Sequence, residues 1–561
     1  MSTPLKNEDD ALVFLPLGGA GEIGMNLNLY GLGPANNREW IMVDLGVTFG
    51  DDSTPGIDLI MPDTAFIEEE AAAGRLKALF LTHAHEDHIG AVPHLWQHLR
   101  CPVYATPFTA YLLRDKLQDV GLLHDVPLHE VPLGGSVTVG GFEIDYVTLT
   151  HSIPEPNALS IKTRFGTVMH TGDWKIDPDP LIGEKTDSDT LSRIGDEGVL
   201  AIVCDSTNVF VEGRAGSEKS VRENLEEMIR PMKGRVAVTT FASNVSRVQT
   251  VAKVAAACGR HPVLVGRSMH RCVAAARACG YLEGMPPIID EEEGAYLPKD
   301  KVLFICTGSQ GEPRAALSRI ARNDHRTISL DADDTVIFSS RVIPGNETSI
   351  FNLQNDLTAI GVNVLQDKND TIHVSGHPCR DELAQMYQWI RPEIAVPVHG
   401  EHRHLKEHAA FARDMQVKQT HVNLNGGMVQ LAPGPSGVVD HVPSGRLMLD
   451  GDILIDSDDE VLKQRRRLAF NGYIHVVALA QGKKLSQLRV SFEGLADEDW
   501  DGRPLEDMIT QACRAAWSKA YGRKGRPTEA SLAEVLRIAA RRTVKDGIGK
   551  RAMVKTDVIC L

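Results

Sequence analysis

Lys77-Ala-Leu-Phe-Leu-Thr-His-Ala-His-Glu-Asp-His-Ile-Gly90 opens with a short apolar run, Ala78 to Leu81, and ends in a burst of metal-ligand side chains. The run reads as a buried strand. His83 and His85 sit two apart, so in extended chain they point the same way. Asp87 and His88 follow in a loop, and Ile89 to Leu99 has the pattern of a helix. Three imidazoles and a carboxylate within six residues suit zinc, which takes N and O ligands. Side chains fanning out from one loop can also reach two ions at once.

At 561 residues the chain exceeds one hydrophobic core, and domain size gives a prior of about three or four domains. A hydrophobic content of 42% and a charged content of 24% are ordinary for a soluble globular protein. The nine cysteines are scattered with no CxxC pair. With no signal peptide evident, that usage predicts a reducing cytoplasm. No apolar run reaches the roughly 18 residues that span a bilayer, so no membrane partner is expected. The net charge of −16 speaks against a generally sticky nucleic-acid binder. It leaves room for a local basic channel, and a carboxylate-rich metal site adds negative charge of its own.

Upstream, Ala11–Leu17 reads as a strand leading into Gly18-Gly-Ala-Gly-Glu-Ile-Gly24. Gly19, Gly21 and Gly24 match GxGxxG, and Asp44 stands about 20 residues on, as a dinucleotide fingerprint requires. The context fails, because Met25 to Tyr30 alternates as a strand does where a helix should open. A Gly-rich turn between antiparallel strands is the better reading, and NAD is rejected. Asp44 then ends a strand near the ligand loop, either supporting a ligand or as a plain strand-end carboxylate.

Downstream, residues 101–172 read as short strands and turns interrupted by a helix over Thr109–Val120. Two strands end in ligand types, one at His151 and one at Asp173. Val199 to Cys204 forms another strand, closed by Asp205. From about 214 to 369 the character changes to four strand-then-helix units, with strands at 235–240, 261–265, 301–306 and 335–339. Such alternation predicts a parallel sheet covered on both faces. Its strand ends carry small polar residues, Ser243 and Asn244 among them, in turns that suit phosphate or are ordinary turn chemistry. The ligand theme then returns in Thr371-Ile-His373-Val-Ser375-Gly-His377 and in Pro397-Val-His399-Gly. A metal-type region split around an inserted domain follows.

Leu447 to Leu454, the acidic stretch Asp456–Glu460 and Arg465–Arg467 read as a linker. A small α/β unit follows, with strands at Leu468–Ala480 and Leu485–Phe492, two amphipathic helices and a last strand at Ala552–Leu561. One helix sets Leu505, Met508, Ile509, Cys513 and Trp517 on one face; the other sets Leu532, Val535, Leu536 and Ala539. Tyr521–Arg526 and Arg541-Arg542 make the unit locally basic, which fits an RNA-facing patch or, more simply, a solvated charged face.

With His83-Ala-His85-Glu-Asp87-His88, His151, Asp173 and His399 in order, the chain resembles the metallo-β-lactamase fold. The insertion followed by Ser375-Gly-His377 and Pro397-Val-His399-Gly resembles its beta-CASP branch. Gly18–Asn26, Gly56-Ile-Asp58, Phe241–Asn244, Thr307–Pro313, Pro344–Glu347 and His373–His377 are similar to the bacterial ribonuclease J family over nearly the whole chain. The resemblance implies an α/β architecture: a metallo-β-lactamase αββα sandwich, an inserted parallel-sheet beta-CASP domain and a small α/β C-terminal domain. The boundaries expected are 1–213 and 370–446 for the sandwich, 214–369 for the insertion, 447–463 for the linker and 464–561 for the last domain.

The resemblance further implies two Zn²⁺ per subunit, with Mn²⁺ or Mg²⁺ able to substitute or activate. His83, His85 and His151 would hold one ion, Asp87, His88 and His399 the other, with Asp173 bridging. Asp205 and His377 match catalytic motifs, with His377 steadying the departing 3′ oxygen. His373, Val374, Ser375, Gly376 and His377 match a loop that grips the RNA phosphate, with Ser243 and Asn244 as further contacts. Asp58 and Asp450 would contribute to a structural divalent-ion site. The implied function is a 5′→3′ exoribonuclease preferring 5′-monophosphate ends on single-stranded RNA, with endonuclease activity, acting in mRNA decay and RNA maturation. Homodimers or homotetramers through the C-terminal domain and partners in an RNA-decay complex are implied as well. The alternatives are a DNA-processing beta-CASP nuclease and a non-catalytic scaffold of an RNA-decay complex.

Overall fold

Ala201-Ile-Val-Cys-Asp205 is buried at every position, with Ala201 and Val203 in one apolar cluster and Ile202 and Cys204 in another. Successive side chains of a strand alternate between faces, so a strand apolar throughout lies between two layers. It is the fifth strand of a seven-stranded sheet, ordered Ser136–Val139, Phe142–Thr148, Asn157–Thr163, Gly166–His170, Ala201–Asp205, Ile394–Val398 and Gln419–Thr420. An eight-stranded sheet meets its inner face, ordered Gly437–His441, Gly427–Ala432, Ala11–Gly18, Leu27–Gly33, Glu39–Val43, Leu76–Phe80, Val103–Ala105 and Leu128–Glu130. Between them lie Phe14, Tyr30, Phe80, Phe142, Tyr146 and Val203, and each fully buried Phe stabilises the fold by about 1.5–3 kcal/mol.

Helices close both outer faces. Ser188–Glu197 and Arg380–Ile390 bury Leu191, Ile194, Leu383, Met386 and Ile390 against the seven-stranded sheet. On the other side Trp40 meets Phe66 of helix Ala65–Ala72 edge-on at 5.3 Å. The order is helix, sheet, sheet, helix. The computed structural model describes residues 10–343, 345–366, 372–522 and 527–561. Pro344, the expected boundary at 369–370, Thr371 and residues 523–526 of the basic Tyr521–Arg526 run lie outside them.

The glycine-rich segment is a turn, as its context predicts: Ala11–Gly18 pairs antiparallel with Leu27–Gly33. The expected helix over Ile89–Leu99 is two pieces, Glu86–Ile89 and Val92–Leu99, because Pro93 can occupy only the first turn of the second.

After Asp205 the chain leaves the sandwich; helix Arg380–Ile390 is back on its outer face, and Ile394–Val398 rejoins the sheet, parallel beside Ala201–Asp205. The insertion is a five-stranded parallel sheet, ordered His261–Val265, Val302–Cys306, Val236–Thr239, Thr335–Phe338 and Asn363–Gln366. Leu317, Ile350, Leu353 and Leu357 from its helices pack on Ala237, Phe304 and Val336. The edge strand Asn363–Gln366 is additional to the four strands read from sequence; it is short and only partly buried.

Two compact units emerge from the contacts: residues 1–48 with 61–446, and residues 49–60 with 447–561. The stretch read as a linker is structured. Arg446–Asp450 and Ile453–Asp456 pair as a hairpin, and Glu460–Asn471 is a helix whose Asp459 cap accepts from the Val461 amide at 2.7 Å. The strand expected from Leu468 therefore begins only at Tyr473. Lys484–Glu493, Tyr473–Gln481 and Met553–Cys560 make the last sheet. Leu505, Ile509, Cys513, Trp517, Leu532 and Leu536 pack on its Ile474, Val476 and Ala478.

Candidate metal centre

Strand ends bring the ligand-type residues together. Gly166–His170, Ala201–Asp205 and Ile394–Val398 are parallel neighbours, so Asp173, Asp205 and His399 leave the same edge of one sheet. From the facing sheet, Glu39–Val43 and Leu76–Phe80 are also parallel neighbours and deliver Asp44 and the His83–His88 loop. Asp44 and His399 adopt φ of 62° and 51°, a left-handed conformation that costs a non-glycine residue energy and gathers at functional sites. Gly46 lets the ligand loop close in, since a Cβ there would lie 1.7 Å from the Asp87 carbonyl oxygen.

Three overlapping donor groups result, each with ligand atoms within 4.8 Å of one another: His83, His85, His151 and Asp173; Asp87, His88, Asp173 and His399; Asp173, Asp205, His377 and His399. Asp173 belongs to all three. Its Oδ2 lies 3.2 Å from His88 Nε2 and 3.4 Å from His399 Nε2. Asp87 Oδ2 lies 3.6 and 3.8 Å from the same two nitrogens.

These residues fit a pair of divalent cations. His83, His88, His151 and His399 each commit Nδ1 to a fixed partner: Thr82 Oγ1 at 3.0 Å, Asp44 Oδ2 at 2.7 Å, the Gly376 carbonyl at 2.5 Å and Asn26 Oδ1 at 3.0 Å. Thr82 donates its own hydroxyl proton to Asp44, so its oxygen is free to accept. An Nδ1–H held outward leaves Nε2 as a lone pair for metal. Inside, His85 Nδ1 stands 3.1 Å from both His83 Nε2 and His151 Nε2. One proton cannot satisfy three mutually facing nitrogens, whereas a cation can. Asp173 Oδ1, also buried, has no hydrogen-bond partner among the described residues.

Charge divides the two halves. Burial, reinforced by neighbouring imidazoles, pushes His83 and His151 well below the usual histidine range. Burial also brings His85 down to about 4, against the pull of Asp87. All three are neutral at pH 7, as ligation requires. At His88 burial acts downward too, but Asp173, Asp87 and Asp44 outweigh it and hold the ring well above its usual range. His399, His88 and His377 likewise overcome burial at Asp173 and hold its carboxyl low. A cation in this half therefore competes with the His88 proton.

His377 borders the pair. Its Nδ1 is 2.8 Å from Asp205 Oδ2 and 3.8 Å from Asp173 Oδ2, and its ring stacks on His399 with centroids 5.5 Å apart. Burial lowers its pKa, yet Asp205 and Asp173 raise it to about 9. In the loop before it, Val374 is buried. Ser375 Oγ accepts from Asn208 Nδ2 at 2.7 Å and from the His377 amide at 3.1 Å. Gly376 is obligatory there, because a Cβ would lie 2.7 Å from His151 Cε1. His373 feels Arg247 and Glu218, and burial first, then Arg247, takes it down to about 3.

Ser243 and Asn244 occupy the turn before helix Val245–Ala257, where Asn244 Oδ1 caps the Arg247 amide at 2.9 Å. Asp58 and Asp450 fall in no metal-capable group among the described residues; Asp450 instead pairs with Arg465 at 2.8 Å. Sequence reasoning missed Asn26, Asn208 and Arg341, whose Nη1 donates to Asn208 Oδ1 at 3.0 Å. Asn208 and Arg341 each follow a strand with parallel neighbours on both sides, the one signal that could have exposed them. No described helix is long and apolar enough to cross a membrane.

Comparison with known proteins agrees with this architecture. The metallo-beta-lactamase superfamily model matches residues 35–231, the ribonuclease J beta-CASP domain residues 233–357, and the Zn-dependent metallo-hydrolase RNA specificity domain residues 364–422. Ribonuclease J of Sinorhizobium meliloti is 46% identical over 549 residues, 98% of this chain and 97% of its own. Ribonuclease J of Mycolicibacterium smegmatis is 38% identical over 542 residues, 95% and 94% of the two chains. A solved Enterococcus faecalis protein of unknown function shares the fold at 16% identity, with a TM-score of 0.51 over 75% of this chain and 100% of its own. The chain belongs to the ribonuclease J family of metal-dependent ribonucleases.

Proposed function

We propose that this chain holds two zinc ions and degrades single-stranded RNA 5′→3′ from 5′-monophosphate ends, with internal cleavage as a second activity. His83, His85 and His151 hold one ion, Asp87, His88 and His399 the other, and Asp173 is shared; Mn²⁺ or Mg²⁺ can substitute. The observation that carries the reading is the convergence of two donor groups on one buried carboxylate. Bound there, divalent cations lower the pKa of water toward about 7 and stabilise charge developing on phosphoryl oxygens.

The chain's own residues supply the rest. Asp205 accepts the Nδ1–H of His377, fixing the tautomer so that Nε2 can hold or deliver the proton needed by the departing 3′ oxygen. Asn208 ties Ser375 and the His377 carbonyl into one rigid loop at 2.7 and 3.0 Å. Ser375, His373, Ser243 and Asn244 then seat a terminal phosphate, which sets the polarity of degradation. Residues 241–244 contribute the helix start that favours an anion.

No disulfide joins the nine cysteines, all of them among the described residues, which suits a reducing cytoplasm, where the chain acts in mRNA decay and RNA maturation. Dimers or tetramers form through the C-terminal domain, and decay-complex partners join them. A time course on RNAs with 5′-monophosphate, 5′-triphosphate and 5′-hydroxyl ends, and on matched DNA, with and without chelator, tests the reading. The monophosphate RNA should disappear fastest and only in the presence of metal. Equal rates on all three RNA ends would remove the phosphate seat, and cleavage in excess chelator would remove the metal centre.

A further inference from the structure

In the C-terminal unit, helix Glu460–Asn471, helix Glu529–Ile548 and the start of strand Met553–Cys560 border an open hollow of about 780 Å³. Its charged lining is wholly cationic, Arg467, Arg537, Arg541, Lys550 and Arg551, in a chain whose net charge is −16. Arg467 pairs with Glu460 at 3.2 Å and Arg537 with Glu534 at 2.7 Å. Arg541, Lys550 and Arg551 are exposed, and none has a carboxylate within 4.0 Å among the described residues. Arg537 and Arg541 stand one turn apart, a spacing at which like charges weaken a helix. Stability alone gives no reason to gather them beside Lys550 and Arg551.

An aromatic ring lies within this basic rim. Phe470 is 74% exposed, too open to serve the unit's core. Lys550 Nζ sits 4.8 Å over the ring and donates to the Phe470 carbonyl at 2.9 Å, so ring and cations are held as one surface. A small anion would need the charge but not the ring. Cations spread across a hollow with an open aromatic face match a nucleic-acid strand, whose phosphates and bases use both.

Resting on the reading that RNA is the substrate, we propose that this hollow is an additional contact for single-stranded RNA. Arg541, Lys550 and Arg551 engage phosphates, and Phe470 stacks on a base. Neutralising each phosphate releases counterions, so each contact adds about 0.7 to the salt dependence of single-strand binding.

The test uses the full-length chain, kept metal-free with chelator so that RNA stays intact, and an oligouridine of about 16 nucleotides. Fluorescence anisotropy across a salt series gives affinity and slope. The triple variant R541A/K550A/R551A should lower the slope of log affinity against log salt by about 2. Phe470→Ala should weaken binding about tenfold or more with the slope unchanged. If the triple variant melts early, Arg551→Ala alone carries the test, with an expected slope change of about 0.7. Unchanged slope and affinity would overturn the proposal. So would a drop in oligomer mass by light scattering with RNA binding intact, which would make the hollow a contact between copies of this chain. Reloading the wild type with metal separates the two readings. Failure to cleave the same RNA then counts against the nuclease centre, while the slopes alone judge the hollow.

Discussion

Two clusters of charge lie buried in the larger unit, and they are completed in opposite ways. At Arg247, fully buried on helix Val245–Ala257, Nε and Nη2 pair with the two oxygens of Glu218 at 3.0 and 2.9 Å. Its Nη1 donates to the Ser339 carbonyl, the Ser339 hydroxyl and the Ile372 carbonyl at 3.0, 2.6 and 3.1 Å. Nothing from outside is needed. At Asp173, by contrast, one carboxylate oxygen has no partner among the described residues and imidazole nitrogens face each other at 3.1 Å. Burial and charge are common to both, so neither marks a site. What sets the Asp173 cluster apart is that facing imidazole nitrogens and a carboxylate oxygen are left unfinished together, and buried polar groups without partners are costly.

That contrast can be broken by substitution. Asp173→Ala removes the carboxylate common to all three donor groups, and RNA turnover should fall by about a thousandfold or more, with loss of bound metal by elemental analysis; retention of both ions would end the idea of a shared carboxylate. His377→Ala should cost about 10²–10⁴ in turnover while metal content stays at the wild-type level. Metal loss in that variant would move His377 into the ligand set.

On the self-contained side, Arg247→Ala leaves Glu218 buried without its counter-charge and should destabilise the fold by about 3–5 kcal/mol, read as a lower denaturant midpoint. Metal content of the folded fraction should not change. The same pair predicts a pH effect. Burial raises the Glu218 pKa, but Arg247 outweighs it and brings the carboxyl to about 2. A depressed carboxyl contributes stability that is complete above its unfolded pKa of about 4.5 and is lost as pH falls toward 2, of order 3 kcal/mol in all. In the double variant Glu218→Leu/Arg247→Met that portion of the acid sensitivity should vanish. The smallest effect is expected one layer out. Asp44→Asn weakens the orientation of His88 through the 2.7 Å contact to its Nδ1, for about a 10–100-fold loss of metal affinity.

The residues that converge in the donor groups were legible in the sequence because they sit at strand ends, and apolar runs that stop in His or Asp announce themselves. Asp44 was half-legible: its place was clear, its partner was not, since His88 lies 44 residues away. Asn26 was hidden in the stretch Met25–Tyr30, whose alternation read only as a strand, yet its side chain holds both His399 and the Asp87 carbonyl. The helix Glu460–Asn471 was misread because its acidic start and arginine run resemble a solvated linker, and only Leu462 is buried. Residues 49–60 group with the C-terminal unit, where Gly56 lies against the Arg465 side chain from a distant part of the sequence, which no local periodicity can report.

Metal titration into the chelator-stripped full chain, with cleavage of a 5′-monophosphorylated RNA followed at each addition, tests the central claim most directly. Activity should be absent in the stripped protein and reach its plateau only after a second equivalent of zinc has bound. Full turnover at one equivalent, or cleavage by the stripped chain, would contradict a centre built around Asp173 as the carboxylate common to two ions.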